Sequence, residues 1–376
     1  MFGQWTGHYE DGENKGQAIL NLDDCDTHYK GVMFLNTFSS EHPGLQVNVQ
    51  FKKPVSKRFR FTITKANYFP LNEHTGVGYN SWSEYEQKKP NKTWPETIVI
   101  NAKRTSASLT FHWKTNTAQT GTIKLDAPRK GNSTLESDEL TWDEFKVRVH
   151  KLETRRFIFR GQNQTWRLRT SFHRTHRANL FTFMNEDIQI LHRTLSGRTK
   201  HIFNLEVPQQ NGAFFNMLQH HGYPTPILDW THSPYVAAFF AFRTITSEES
   251  KKSKNKNKHV RIFFLDRKSW TADIPQVVLL NISLEHFSVS EFMALNNDRV
   301  IPQQGIATIT NVDDIEKYIE RTEQHRAKKY LQAVDLPWSS RDQVMTDLSL
   351  MGITAGSLFP GIDGTCEEMR ERHFRI

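Results

Sequence analysis

The chain has 376 residues, 37% hydrophobic and 12% aromatic, which is apolar mass enough to build real cores and excludes global disorder. Its net charge of +8 is mild and spread out: residues 1–135 carry 17 Lys and Arg against 12 Asp and Glu, a net +5, and the remainder 32 against 29, a net +3, compatible with an acidic or nucleic-acid partner without requiring one. Cys25 and Cys366 alone support neither a disulfide framework nor a four-cysteine zinc site, no run approaches the ~20 apolar residues of a membrane span, and the start "MFGQWTGHYEDGENKG" lacks the basic-then-apolar order of a secretory signal, so a cytoplasmic protein with no membrane partner is expected.

The first third reads as β-rich. "QWTGHYE", "GQAILNLDD", "HYKGVMFLN", "LQVNVQFKK", "RFRFTITKA", "ETIVINA", "ASLTFHWKT" and "GTIKLDAP" alternate apolar and polar residues, many of them separated by Gly, Asn, Asp or Pro. In "RFRFTITK", Arg58, Arg60, Thr62 and Thr64 share one face and Phe59, Phe61 and Ile63 the other. Short strands at this spacing predict an antiparallel β-sandwich or small barrel. Trp5, Gly7 and Tyr9 read as strand packing rather than a ligand box. "VGYNSWSEYEQKKPNKTWPE" interrupts the pattern and reads as an aromatic-rich loop. "APRKGNSTLESDEL" is polar and aperiodic, and the domain boundary falls near residue 135: a β-rich recognition domain over 1–135, a second domain over 136–376.

The second part mixes helix and strand, giving an α+β chain. Thr141 to Glu144 spells a capping box ahead of an apolar face of Phe145, Val149 and Leu152. "RRFIFRG" is a strand, "YVAAFFAFRTI" a buried helix, "HVRIFFLD" and "PQVVLLNI" buried strands, and "SRDQVMTDLSLMGI" a helix ending near Gly352. Lys251–Lys258, with five lysines, reads first as a solvated loop and second as a phosphate contact.

Several chemistries are absent: no phosphate-binding G-x-x-x-x-G-K-[ST], no G-x-G-x-x-G, no H-E-x-x-H, no G-x-S-x-G. His173 and His176 form an H-x-x-H without a third ligand, and no metal site is expected. Two segments carry the signal. Phe157–Arg160 is an apolar run that ends in a guanidinium backed by Gly161. A charge there needs a partner: a phosphate, a carboxylate, or an internal salt bridge with Asp229. In "LQHHGYPTPILDWTHSPYVAAFFAF", Asp229, Trp230 and Thr231 close a short apolar run, with Ser233 and Pro234 starting the helix. A helix start is a ready anion site.

Together "FRGQ", that long segment, "DRVIPQQGIATI" and "MGITAGSLFPGIDG" occur in the order of the FRG domain family, which residues 140–376 resemble. That family is similar, more weakly, to the ADP-ribosyltransferase fold. The resemblance implies an ADP-ribosyltransferase-like split sheet, with NAD as substrate. Arg160 is expected to bind NAD phosphate or ribose, beside Gly161 and Gln162, and Thr231 to shape the turn. Trp230 or His221 would wall the nicotinamide, and Asp229 and Gln304 contact ribose hydroxyls, making Arg160, Asp229 and Gln304 the catalytic set. The sequence departs at the third motif, where Gln303 and Gln304 stand in place of an acid. A carboxylate there would stabilise positive charge on the ribose, and an amide cannot. Asp229, Glu285 and Glu291 are the alternative acids. The expected function is an ADP-ribosyltransferase or NAD glycohydrolase, its acceptor a protein, a nucleic acid or water. A bacterial toxin or phage-defence effector would suit this two-domain layout by analogy. The rival expectation is a non-catalytic nucleotide- or nucleic-acid-binding module whose β-domain docks a partner.

Overall fold

The computed structural model describes every residue except 13, 39–42, 73, 74, 80, 89–93, 253, 254, 256, 293, 294, 296, 297, 375 and 376. Nine strands form one antiparallel sheet: β1 (Gly3–Asp11), β2 (Asn14–Cys25), β3 (His28–Thr37), β4 (Leu45–Lys52), β5 (Arg58–Thr64), β6 (Tyr68–Pro70), β7 (Thr97–Arg104), β8 (Ser108–Thr115) and β9 (Thr120–Asp126). Their order is β5-β7-β8-β9-β1-β2-β3-β4-β6. The two edge strands, β5 and β6, follow each other across the three-residue turn Lys65–Asn67. The sheet therefore curls back on itself and takes the barrel-like of the two expected forms, nearly closed. Period-2 alternation fills its interior: Phe59, Phe61 and Ile63 face in with Trp5, Tyr9 and Phe111, while Arg58, Arg60 and Thr62 face out. The stretch expected as an aromatic loop contains a helix instead, α1 (Trp82–Lys88). Trp82 packs edge-on to Tyr68 at 5.3 Å and against Trp94 at 5.4 Å, and burial of those rings fixes a segment that composition alone marked as irregular.

The second sheet has seven strands: β10 (Ser137–Glu139), β11 (Phe157–Gln162), β12 (Ile227–Thr231), β13 (His259–Asp266), β14 (Phe287–Ser290), β15 (Gly305–Thr310) and β16 (Leu331–Pro337), in the order β10-β16-β13-β11-β12-β15-β14. Around it lie α2 (Trp142–His150), α3 (Leu180–Thr182), α4 (Ile188–Ser196), α5 (Pro208–His220), α6 (Pro234–Phe242), α7 (Ser247–Lys251), α8 (Arg267–Asp273), α9 (Ile315–Arg326), α10 (Arg341–Leu350), α11 (Ala355–Leu358) and α12 (Ile362–Phe374). The chain is thus α+β. α2 starts on the expected capping box, Thr141 with Glu144. α6 lies on the sheet with Val236, Ala237, Phe239 and Ala241 buried against Phe159 and Phe264.

"PQVVLLNI" is not a strand. Val278 and Leu279 are exposed while Leu280 and Ile282 are buried, and side chains satisfy its backbone: Ser288 Oγ accepts from Val277 N at 2.8 Å, and His286 Nε2 lies 2.8 Å from Leu279 O. An apolar run without period does not specify a strand partner. His173 lies within the short turn Phe172–Arg174 and His176 just after it, so they do not share a helix face. His173 is buried, with Nδ1 2.7 Å from Thr170 Oγ1, and His176 meets the Phe2 ring edge-on at 4.6 Å. Of the lysine run, residues 253, 254 and 256 lie outside the described residues. Lys251 pairs with Asp342, Lys252 with Glu248, and Lys258 stands over the Trp338 ring.

The two sheets meet through polar side chains. Asp23 of β2 accepts from Ala178 N, Asn179 N and Arg177 Nε at 2.6, 2.8 and 2.9 Å. Gln4 of β1 donates to Asn311 O and accepts from Asp313 N. Phe181 packs on the outer barrel face formed by Ile19, Val32, Phe34 and Leu71.

Candidate functional site: a cleft where the second sheet opens

β11 pairs with β13 along its whole length, Phe157 to Gln162, but with β12 through the single pair Phe159–Thr231. Past that pair the strands part. Alternation sends Phe159 and Gly161 toward α6 and Ile158 and Arg160 to the other face. Phe159 meets Phe264 edge-on at 5.0 Å. A Cβ on Gly161 would sit 1.9 Å from Ala237 O, so the glycine lets α6 lie directly on the strand. Arg160 reaches into the gap, where Nη1 donates to the Asp229 carbonyl at 2.6 Å and Nε is buried without a partner. Burial draws its pKa down to about 10, opposed by Asp229 and helped by Arg174. The salt bridge considered from sequence does not form: the bond goes to the Asp229 backbone, and the Asp229 carboxylate accepts from Gln219 Nε2 of α5.

Asp229 lies deep among protein atoms, yet its side chain stays open to a cleft of about 720 Å³, within the ~300–1,000 Å³ usual for ligand sites. Burial raises its pKa, and Arg160 and Gln219 resist the rise. Beyond it the chain is tied down. Thr231 Oγ1 donates to Gln303 O at 2.7 Å and accepts from Ser233 N at 3.0 Å; His232 N donates to Gln304 O at 3.0 Å. Ser233 caps α6 by accepting from Val236 N. Gln303 Nε2 is spent on Leu358 O at 3.0 Å. Gln304 is exposed at a left-handed φ of 49°.

Arg160, Gly161, Asp229, Thr231, Gln303 and Gln304 thus line one cleft. Three expected contacts do not hold. Trp230 is among the cleft-lining residues, but its side chain is buried beside Leu228 with Nε1 donating to Thr308 Oγ1 at 2.9 Å, so it offers no open ring face to a nicotinamide. Gln162 is buried and donates to Trp166 O. His221 is the exposed cap residue of α5, while its neighbour His220 lines the cleft. Of the alternative acids, Glu291 lines the cleft and pairs with Arg267 at 3.0 Å, whereas Glu285 is held away by Arg321 and Gln17. Sequence reasoning missed Gln219, His220, Arg155, Arg299, Phe240 and Phe359, all on the cleft wall. Gln219 and His220 sat in the quoted segment, but their helical phase was not legible there.

Residues 155–250 match the FRG domain family. The FRG segment takes in β11, α5, β12 and α6, hence Arg155, Arg160, Asp229 and Thr231. Glu291, Gln303 and Gln304 follow it in the chain. No curated protein matches the sequence. Among solved structures, a redesigned β-barrel, mFAP1, bound to DFHBI, is similar at 9% identity over 34% of this chain and 94% of that chain, with a TM-score of 0.23. Among the described residues no group of three His, Cys, Asp or Glu is placed to hold a metal ion, and no helix is long and apolar enough to cross a membrane.

Proposed function

We propose that the cleft binds NAD as substrate and breaks its nicotinamide–ribose bond, passing ADP-ribose to a protein, a nucleic acid or water. The observation that carries this reading is the Asp229 carboxylate, open to the cleft with the Arg160 guanidinium beside it. The cleft's volume and the arginines on its wall fit a diphosphate-linked substrate. NAD supplies a bond whose electron pair leaves with nicotinamide, placing positive charge on the ribose. Asp229 is held to face that charge: Gln219 fixes its carboxylate and Arg160 its carbonyl. Arg267 pairs with one oxygen of Glu291, the second carboxylate on the cleft, and its other oxygen can take the proton that an acceptor hydroxyl or water releases as it bonds to the ribose. Gln304 offers an amide to a ribose hydroxyl, Thr231 holds the turn, and Phe240 and Phe359 give a flat ring an apolar wall.

The parting of β11 and β12 after one residue pair supports the finer fold reading, an ADP-ribosyltransferase-like split sheet. On this reading residues 1–135 are a recognition domain and 136–376 the catalytic one, a layout that suits a toxin or phage-defence effector acting in the cytoplasm. A non-catalytic module is the second reading, and one observation favours it: the amides at the third-motif position, one of them already spent on Leu358 O. The experiment is nicotinamide release from NAD by the full chain, with protein lysate, RNA or DNA added in turn. Release that Asp229→Asn abolishes supports the enzyme; NAD binding without release in every condition supports the module.

A further inference from the structure

Resting on the NAD reading of this same cleft, we infer that Arg155 and Arg299 take the ligand's diphosphate, and that Arg160 is a positioning residue for Asp229. A guanidinium grips a phosphate best with two parallel N–H groups along one edge. Arg160 has neither edge free: Nη1 is committed to the Asp229 carbonyl and Nε is buried between the strands. Arg155 differs on every count. It stands just ahead of β11 at the cleft mouth, is exposed, and among the described residues has no ion-pair partner. The acid on that side, Glu291, is engaged by Arg267. Its backbone is also unusual: φ is 59°, a left-handed conformation that costs a side-chain-bearing residue on the order of 1 kcal/mol. A fold that needed only the turn would do better with glycine there, so the retained side chain points to a ligand.

Arg299, which precedes β15, lines the same cleft. Its guanidinium lies 5.2 Å from the Phe359 ring centroid, which places a cation and a stacking surface together. His220 and His232, also on the wall, have their pKa values lowered, by burial first and then by these arginines and Arg267. The mouth is therefore a positive field around neutral imidazoles, suited to a dinucleotide whose diphosphate spans Arg155 and Arg299.

The test is calorimetric binding of NAD, ADP-ribose, inorganic pyrophosphate and nicotinamide riboside to the full chain, in wild type, Arg155→Gly, Arg299→Gln and Arg160→Gln. Arg155→Gly relieves the left-handed strain, so it should fold at least as stably. It should bind ADP-ribose and pyrophosphate ~10-fold more weakly while its affinity for nicotinamide riboside, which has no diphosphate, stays unchanged. Arg299→Gln should behave alike. Arg160→Gln should keep ADP-ribose affinity within about threefold but slow nicotinamide release and move the acid limb of its pH profile upward, because Asp229 loses the cation that resists its raised pKa. Unchanged pyrophosphate and ADP-ribose binding in Arg155→Gly, with loss in Arg160→Gln, would overturn the assignment, as would a wild type that binds neither ligand. A wild type that binds ADP-ribose through Arg155 yet releases no nicotinamide keeps the anion subsite and removes only the cleavage reading.

Discussion

Arg160, Gly161 and Asp229 show how much one residue's role depends on what lies across from it. The guanidinium at the end of an apolar run was legible as a charge in need of a partner. The partner was not, because it is a backbone carbonyl exposed by the parting of two strands 69 residues apart in sequence. The glycine behind it was expected beside the bound NAD, and in the fold its missing Cβ makes room for α6. Gly161→Ala should therefore cost about 1–3 kcal/mol in chemical denaturation, since its Cβ would meet Ala237 O at 1.9 Å; an unchanged midpoint would mean that α6 does not rest on the strand. Asp229→Asn should do the opposite to stability. A carboxyl whose folded pKa is raised penalises the fold while ionised, and that penalty lifts as pH falls through the raised value. A neutral amide of the same shape removes it, so denaturation at neutral pH should show an equal or higher stability even as activity falls. Trp230 keeps its side chain in the core for a reason visible in the sequence: period 2 puts it on the face of Leu228 and turns the side chains of Asp229 and Thr231 to the other face.

At the scale of elements, segments with strong local rules were the readable ones. The eight long strands of the barrel were all legible by alternation, and β11 and β13 by their apolar runs, whereas β12 showed only as a short apolar run of no definite type. α2 was legible by its capping box, in which Glu144 N donates to Thr141 Oγ1 and the Glu144 carboxylate answers Thr141 N. Thr141→Ala should cost about 1 kcal/mol, read as a shift in denaturation midpoint that Thr141→Ser largely restores. Elements set by tertiary contact were not legible. β6 and β10 have three residues each, too few for a period. α1 exists because Trp82 and Tyr85 find a buried aromatic cluster. The opening between β11 and β12, on which the site depends, has no sequence signature, since both strands look like ordinary buried ones.

Across the whole molecule, the junction between barrel and second sheet is largely polar, with Phe181 supplying an apolar contact on the outer barrel face. Asp23 is its anchor: a nearly buried carboxylate that accepts from two backbone N–H groups and Arg177. Removing it leaves those donors unsatisfied, so Asp23→Ala should cost roughly 2–3 kcal/mol and hasten proteolysis within residues 171–187, without the loss of barrel secondary structure that a core substitution would cause. Protonation should work on the whole fold too. Burial draws His173 and His286 each to a pKa of about 4. Their unfolded imidazoles take protons below about 6.5, so the stability they allow is complete above that pH and lost as pH falls toward 4. Between those limits the pair should make stability fall steeply with falling pH, by roughly 1–3 kcal/mol per pH unit, measured by denaturant titration at several pH values. A slope of half that size would show that one imidazole reaches solvent, and a flat profile from about 6.5 to 4.5 that both do.

The most direct measurement is the initial rate of nicotinamide release from NAD by the full chain, wild type beside Asp229→Asn, with both proteins shown to be folded. The account predicts release by the wild type in at least one of the conditions with protein, RNA, DNA or water as acceptor, and a fall of about 100-fold or more in the variant. Equal rates in the two proteins, or NAD bound and never cleaved by the wild type in any of those conditions, would contradict it.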